Sequence, residues 1–96
     1  MGRHDQDEET PPLAEVRLDV WLDVSCLFPT RSQAAAACTG GKVHLNGHAA
    51  AAHKPLRVHD RLEITFKRDR RTFVVKDLAE RSIPKARARL LYEETT

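Results

Sequence analysis

The chain has 96 residues and a net charge of +2. A single domain of this size buries a modest core, which argues against an enzyme with a deep, walled active site. The charge is unevenly divided, because residues 1–15 hold five of the 14 acidic residues but one of the 16 Lys and Arg residues. An acidic tail joined to a basic domain is typical of proteins that meet a polyanion.

The first stretch, residues 1–12, is polar, acidic and without periodicity. Such a composition buries too little apolar surface to fold, so we predict a disordered acidic tail over residues 1–15 and one domain over residues 16–96. The sequence has no secretory signal segment and no long apolar run. We therefore predict a soluble, cytoplasmic chain without membrane contact.

A first helix is predicted from about residue 16 to residue 27. Leu18 and Trp21 begin an apolar stripe at helical spacing, which places Trp21 in the core. Pro29 ends this helix, because proline cannot continue the hydrogen-bond ladder.

A second helix is predicted over residues 31–39. Thr30 and Gln33 have the spacing of a capping box, and the alanine-rich run behind them has a high helix propensity. Gly40-Gly41 is the expected end, because glycine readily adopts the left-handed conformation that follows a helix.

The rest of the chain predicts a small antiparallel sheet and a final helix. Asn46-Gly47 is the strongest hairpin signal, because both positions tolerate positive φ in a type I′ turn. The predicted strands cover residues 42–45, 48–51, 62–67 and 73–75. Pro84 suits the first turn of a C-terminal helix, whose buried stripe would consist of Ala86, Leu90 and Leu91. The fold class is therefore α+β, with two N-terminal helices packed on a sheet of about four strands, plus that last helix.

Three pieces of the chain, in this order and spacing, carry a family resemblance: Arg17-Leu18-Asp19, Thr30-Arg31-Ser32, and Gly40 to Gly47 with Lys42, Val43, Leu45 and Asn46 inside it. They resemble the alpha-L motif of the RNA-binding domain named after small-subunit ribosomal protein S-four. Within that family the chain looks most like the bacterial heat shock protein 15 group, which the ending from Leu90 to Thr95 also resembles. The resemblance covers residues 16–95.

The resemblance implies a non-catalytic protein that binds structured RNA, in particular ribosomal RNA of the large subunit, in a heat-shock or ribosome-quality-control role. Phosphate contacts supply much of the affinity in such binding and also allow non-specific DNA binding. We expect a monomer without a cofactor. We expect the RNA to contact one surface, called the alpha-L surface, which consists of Arg17, Asp19, Thr30, Arg31, Ser32, Gln33, Lys42, His44, Asn46 and Lys54.

Some of these residues also have a structural interpretation. Asp19 is expected to orient Arg17 or another basic residue. The main role of Thr30 is to cap the second helix, and RNA contact is its secondary role. Asn46 is favoured by the backbone conformation of the turn alone. Arg17 and Arg31 differ, because a cation at a helix start is unfavourable against the helix dipole. RNA contact explains them better, and they converge if the two helices pack as an L.

Other basic, cysteine and histidine residues have simpler explanations. We interpret a second basic group, at a predicted strand turn, as an ordinary solvent-exposed surface. It comprises Lys67, Arg68, Arg70 and Arg71. Cys26 and Cys38 fall on predicted apolar helix faces, so we expect buried free thiols. The five histidines lack zinc-site spacing, and we predict no metal. His44 and His53 are expected near RNA, with RNA affinity rising toward pH 6 as imidazoles become charged.

The chain departs from the heat shock protein 15 group at Val20 and Pro29, where members usually carry basic residues, and it lacks their long basic C-terminal extension. Because Val20 and Pro29 carry no charge, two expected phosphate contacts are missing. One alternative is a protein-interaction or regulatory module with weakened RNA binding. Another is an accessory domain of an RNA-modifying enzyme whose catalytic domain is a separate partner, since this chain has no nucleophile–base pair, paired carboxylates or phosphate-cradling glycine loop.

Overall fold

The computed structural model describes residues 13–95, which form three helices, one 3-10 turn and seven strands. The elements in chain order are β1 (Val16–Arg17), α1 (Leu18–Val24), α2 (Arg31–Thr39), β2 (Val43–Leu45), β3 (His48–Ala49), β4 (Pro55–Leu56), β5 (Arg61–Phe66), β6 (Asp69–Val75), α3 (Lys85–Ala88), a 3-10 turn (Arg89–Leu91) and β7 (Tyr92–Glu94). Residues 1–12, which make up most of the predicted acidic tail, lie outside the described part. The boundary between tail and domain therefore stays a prediction.

The main sheet has five antiparallel strands in the order β3-β2-β5-β6-β7. Its pairs align buried residues on one face, as where Leu62 lies opposite both Leu45 and Phe73. A separate antiparallel pair, β1 with β4, joins the start of α1 to the chain that follows the first hairpin. The α+β fold class is confirmed.

The helices cover the apolar face of this sheet. Leu18, Trp21 and Leu22 of α1 are fully buried, which confirms Trp21 as a core residue. Its indole Nε1 donates a hydrogen bond to the carbonyl of Asp77 at 3.0 Å, so the polar atom of the ring is also satisfied. Ala34 and Cys38 are the buried residues of α2, and the small side chain of Ala34 lets the two helices approach closely.

The first helix ends earlier than predicted. Cys26 takes a positive φ of 66°, and its N–H donates to the carbonyl of Asp23 at 3.0 Å, which closes α1 before Pro29. Cys26 is consequently exposed, so the expectation of a buried thiol was wrong for it. The expectation was right for Cys38, where burial raises the pKa of the thiol to about 11, with a smaller contribution from the Asp19 charge.

The C-terminal helix is shorter than predicted. The strand that follows it, β7, is the fifth strand of the main sheet. The carbonyl of Leu91 accepts hydrogen bonds from the N–H groups of Lys76 and Asp77, at 2.8 and 3.2 Å, and Tyr92 then pairs with Val75. These long-range bonds draw the chain into the sheet after one helical turn. Leu90, predicted to lie in the buried stripe, is 71% exposed as a result.

Candidate nucleic-acid interface

The start of α1 is anchored by the loop that follows β3. The N–H of Leu18 donates to the carbonyl of Lys54 at 2.9 Å, and the N–H of Asp19 donates to the carbonyl of Ala52 at 3.0 Å. Helix starts leave their first N–H groups without intrahelical partners, and here the loop supplies the acceptors. The same bonds fix the backbone of Lys54 beside Arg17, whose Cα partner in the β1–β4 pair is Pro55.

Asp19 holds two arginines together where the two helices meet. Arg17 donates to both carboxylate oxygens, from Nε and from Nη2, each at 3.1 Å. Arg31, the first residue of α2, donates from Nε to Oδ2 of Asp19 at 3.3 Å. Asp19 therefore orients Arg17 as expected, and the convergence of Arg17 with Arg31 is present. We call these three residues the Arg–Asp–Arg cluster.

The cluster is a buried anion beneath two accessible cations. The side chain of Asp19 is 4% exposed, whereas those of Arg17 and Arg31 are 51% and 53% exposed. Burial by itself would raise the pKa of Asp19, but the hydrogen bonds and charges of Arg17 and Arg31 outweigh it and hold the pKa below its ordinary value. The carboxylate is thus ionised at neutral pH, and the cluster keeps an excess of positive charge that faces solvent.

The start of α2 adds backbone donors next to the cluster. Thr30 Oγ1 accepts from the N–H of Gln33 at 3.1 Å, and its carbonyl accepts from the N–H of Ala34 at 3.1 Å, which confirms the predicted cap. Among residues 13–95, no atom accepts a hydrogen bond from the N–H of Arg31 or Ser32. A phosphate is the group that such helix-start donors suit best.

The remaining predicted residues lie just before β2, on β2, in the turn after it and in the loop before β4. Lys42 and Lys54 are exposed, and His44 is half-buried between the buried Val43 and Leu45. Both lysines are accessible to solvent, and the hydrogen bond from the N–H of Leu18 to the carbonyl of Lys54 places Lys54 beside α1.

Asn46 is tied into the protein by its side-chain amide. With φ at 52°, its Nδ2 donates to Oδ1 of Asp60 at 3.2 Å, and its Oδ1 accepts from the N–H of Arg61 at 3.0 Å. These bonds lock the hairpin turn to the start of β5, in line with the structural interpretation. Sequence reasoning missed Asp60, and no local pattern reveals a partner 14 residues away.

In the second basic group, Arg71 is held by neighbouring residues and the other three cations are exposed. Arg71 donates two hydrogen bonds of 2.7 Å to Glu94 on the neighbouring strand, and its guanidinium lies 5.4 Å from the ring centroid of Phe66. Lys67, Arg68 and Arg70 are exposed at the β5–β6 turn. In the described range no cluster of His, Cys, Asp and Glu side chains suits a metal ion, and no helix there has the length and apolarity to cross a membrane.

Comparison with known proteins places this geometry in a family. The family model of the S4 domain matches residues 16–62. Heat shock protein 15 of Escherichia coli K12 is 40% identical over 84 residues, which cover 88% of this chain and 63% of that protein. The heat shock protein 15 homolog of Aeromonas salmonicida is 36% identical over 81 residues, covering 84% of this chain and 61% of that protein. The chain thus spans less than two thirds of the length of these relatives.

Solved structures agree with the sequence relatives. Heat shock protein 15 of Vibrio cholerae, described as trimeric, matches with a TM-score of 0.80 and 33% identity, covering 84% of this chain and 82% of that chain. The solution structure of a hypothetical protein matches with a TM-score of 0.72 and 23% identity, covering 84% of this chain and 98% of that one, and supports the fold alone. Shared fold, identity and an S4 domain together show that this chain belongs to the heat shock protein 15 family of S4-domain proteins.

Proposed function

We propose that this chain is a non-catalytic RNA-binding protein that recognises structured RNA with its alpha-L surface. The observation that carries the proposal is the Arg–Asp–Arg cluster, in which one buried carboxylate orients two half-exposed guanidinium groups at the starts of two helices. Helix starts disfavour cations, so the cluster needs an external anion to balance its excess charge. A phosphate backbone supplies that anion repeatedly and in a fixed geometry.

The hydrogen bonding within the cluster leaves donors for such a backbone. Arg31 contacts Asp19 through Nε, and within residues 13–95 its two terminal amino groups form no hydrogen bond, so they can bind a partner outside the chain. Arginine binds phosphates with two parallel hydrogen bonds, which fixes orientation as well as charge. The nearby N–H groups of Ser32 and of Arg31 itself add neutral donors for the same anion.

Recognition by shape fits a small, rigid surface of this kind. A-form RNA has a deep, narrow major groove that side chains do not read, so proteins recognise its backbone and overall geometry. The similarity to heat shock protein 15 supports a ribosomal partner, and we assign the chain to ribosomal RNA of the large subunit, in the cytoplasm, in a heat-shock or ribosome-quality-control role.

Binding to isolated ribosomal subunits tests this function. The chain is titrated against large subunits, small subunits and a structured fragment of large-subunit RNA, at several salt concentrations. We expect tight binding to large subunits and the fragment that weakens steeply with salt. Equal binding to small subunits would contradict the large-subunit assignment. No binding at low salt, together with co-purification of one defined protein, would instead favour a protein-interaction module.

A further inference from the structure

An open groove with aromatic walls runs between α2 and the β5–β6 hairpin. The rings of Phe28 and Phe66 line it, with centroids 5.5 Å apart and planes tilted by 33°. Both rings are half-buried, so part of each aromatic surface stays accessible at the groove. Two alanines of α2, Ala36 and Ala37, also line the groove and keep it open because their side chains are small.

The polar lining of the groove is cationic and neutral. Lys42 and Lys67 line it together with Gln33 and Thr65. Among the described residues, no acidic side chain lines it. The groove therefore combines aromatic surface, two positive charges, an amide and a hydroxyl, and this combination complements an anion that carries a flat, polar-edged ring.

The groove is continuous with the alpha-L surface, because Gln33 and Lys42 belong to both. The N–H of Gln33 is capped by Thr30, next to Arg31 of the Arg–Asp–Arg cluster. The N–H of Lys42 donates to the carbonyl of Ala37 at 2.9 Å, which ties the start of β2 to the end of α2. A nucleic acid held by the cluster can therefore reach the mouth of the groove.

Phe66 is also held in position from the sheet. The guanidinium of Arg71 lies 5.4 Å from its ring centroid and is itself fixed by the two 2.7 Å hydrogen bonds to Glu94. A ring restrained by such neighbours loses little side-chain entropy when a ligand stacks on it.

We propose that this groove receives one unpaired nucleotide of the bound RNA, with its base against Phe28 and Phe66 and its phosphate near Lys42 and Lys67. The inference rests on the proposed RNA-binding function. Bases stack on aromatic side chains without strong sequence preference, whereas bases inside an A-form helix are covered by their neighbours. The amide of Gln33 and the hydroxyl of Thr65 supply donors and acceptors for the base edge. The groove therefore selects RNA with a bulged or unpaired nucleotide.

The test compares two RNA hairpins whose strands are joined by a non-nucleotide linker and which carry equal numbers of phosphates. One has a fully paired stem, and the other has a single-nucleotide bulge in its stem. Wild-type chain, Phe66→Leu and Phe28→Leu are titrated with both. Leucine keeps the apolar character of each site but removes the π face. We expect wild type to prefer the bulged hairpin, and each variant to weaken binding of that hairpin by roughly tenfold while leaving the paired hairpin unchanged.

The matched control is Tyr92→Leu, which replaces a half-buried aromatic residue outside the groove and is expected to leave the preference intact. The Arg17→Ala/Arg31→Ala variant should weaken both hairpins equally. Equal affinity of wild type for the two hairpins would overturn the groove proposal while leaving RNA binding standing. Absence of binding to either hairpin would overturn the proposed function itself.

A measurement on the wild-type chain tests the same proposal even if a variant fails to fold. In NMR spectra of the wild type, the ring protons of Phe28 and Phe66 should shift upfield on addition of the bulged hairpin, because a stacked base imposes a ring current. The paired hairpin should leave them in place. Identical shifts with both RNAs, or none with either while binding occurs, would contradict the proposal.

Discussion

Asp19 is the residue on which the geometry of the alpha-L surface depends most. Its buried carboxylate contacts Arg17 in the same turn and Arg31 on the next helix, so one anion sets the directions of two guanidinium groups. A buried charge is tolerated only where it is paired and hydrogen-bonded, and both conditions hold. Asp19 thus acts by positioning Arg17 and Arg31 for an external anion.

Replacing Asp19 by asparagine should destabilise the protein. The amide carries no charge, so two arginines would lie close together without an anion between them. We expect Asp19→Asn to lower the free energy of unfolding by about 2 kcal/mol, less than for a fully buried pair because the arginines are half-exposed. Urea denaturation measures the change. Asp23→Asn on the same helix is the control, and an equal loss in both variants would contradict the special role of Asp19.

The stability of the protein should depend on pH through the carboxylate of Asp19. The pKa of Asp19 is lower in the folded chain than its ordinary value of 3.8. Its ionised form therefore stabilises the fold fully above that value, and this contribution disappears as the pH falls through the lowered pKa. The difference in urea midpoint between wild type and Asp19→Asn should shrink below about pH 4. A constant difference down to pH 2 would contradict this assignment.

Particular residues also show which side-chain contacts could be predicted from the sequence. The link between Asp19 and Arg17 was predictable, because the two lie two positions apart in a recognisable motif. The convergence of Arg17 with Arg31 was expected only if the helices packed as an L, since it depends on tertiary structure. The bond between Asn46 and Asp60 was not predicted, because nothing local connects a turn to a residue at the start of the next long strand.

At the scale of helices and strands, local capping signals predicted boundaries well where they were strong. The Thr30 cap and the glycines after the helix gave the bounds of α2 as the structure has them, Arg31–Thr39. The end of α1 was missed, because Cys26 is not a residue type that signals a left-handed conformation. The strand β7 was missed because its pairing with β6 joins segments distant in sequence.

The end of α1 yields a prediction about stability. Cys26 has a φ of 66°, a conformation that costs an L-residue energy but that glycine adopts readily. Cys26→Gly should therefore raise the free energy of unfolding by about 0.5 kcal/mol, after the entropic cost of glycine is subtracted. Urea denaturation measures this change in the free energy of unfolding. The control is Ser25→Gly, which should destabilise the protein because Ser25 has a helical φ of −77°. Destabilisation by Cys26→Gly would contradict the account.

At the scale of the whole molecule, the fold gathers cations from separate elements onto one surface. The helices α1 and α2 bring Arg17 and Arg31 together, and the loop before β4 carries Lys54 to the start of α1. The fold class was predictable, and so was the meeting of Arg17 with Arg31, because the motif residues sit at local element starts and turns. That RNA binds this surface stays a prediction. The groove beside the surface was not predictable, since it arises where Phe28 meets Phe66 across the packed helix and hairpin.

The central claim is that RNA binds at the Arg–Asp–Arg cluster rather than to positive charge in general. Two variants that remove the same charge distinguish these cases. Arg17→Ala/Arg31→Ala removes the cations of the cluster, whereas Arg81→Ala/Arg87→Ala removes two exposed cations near α3. The α3 region packs near the opposite end of α1, since Asp23 and Lys85 line one groove.

The measurement is a titration of a structured large-subunit RNA fragment with wild type and both double variants, over a series of salt concentrations. Circular dichroism confirms that each variant is folded. We expect Arg17→Ala/Arg31→Ala to weaken binding by at least about tenfold and to reduce the slope of log Kd against log salt by about two, with little change for the α3 variant. Equal losses in the two variants, or none in the cluster variant, would contradict the account.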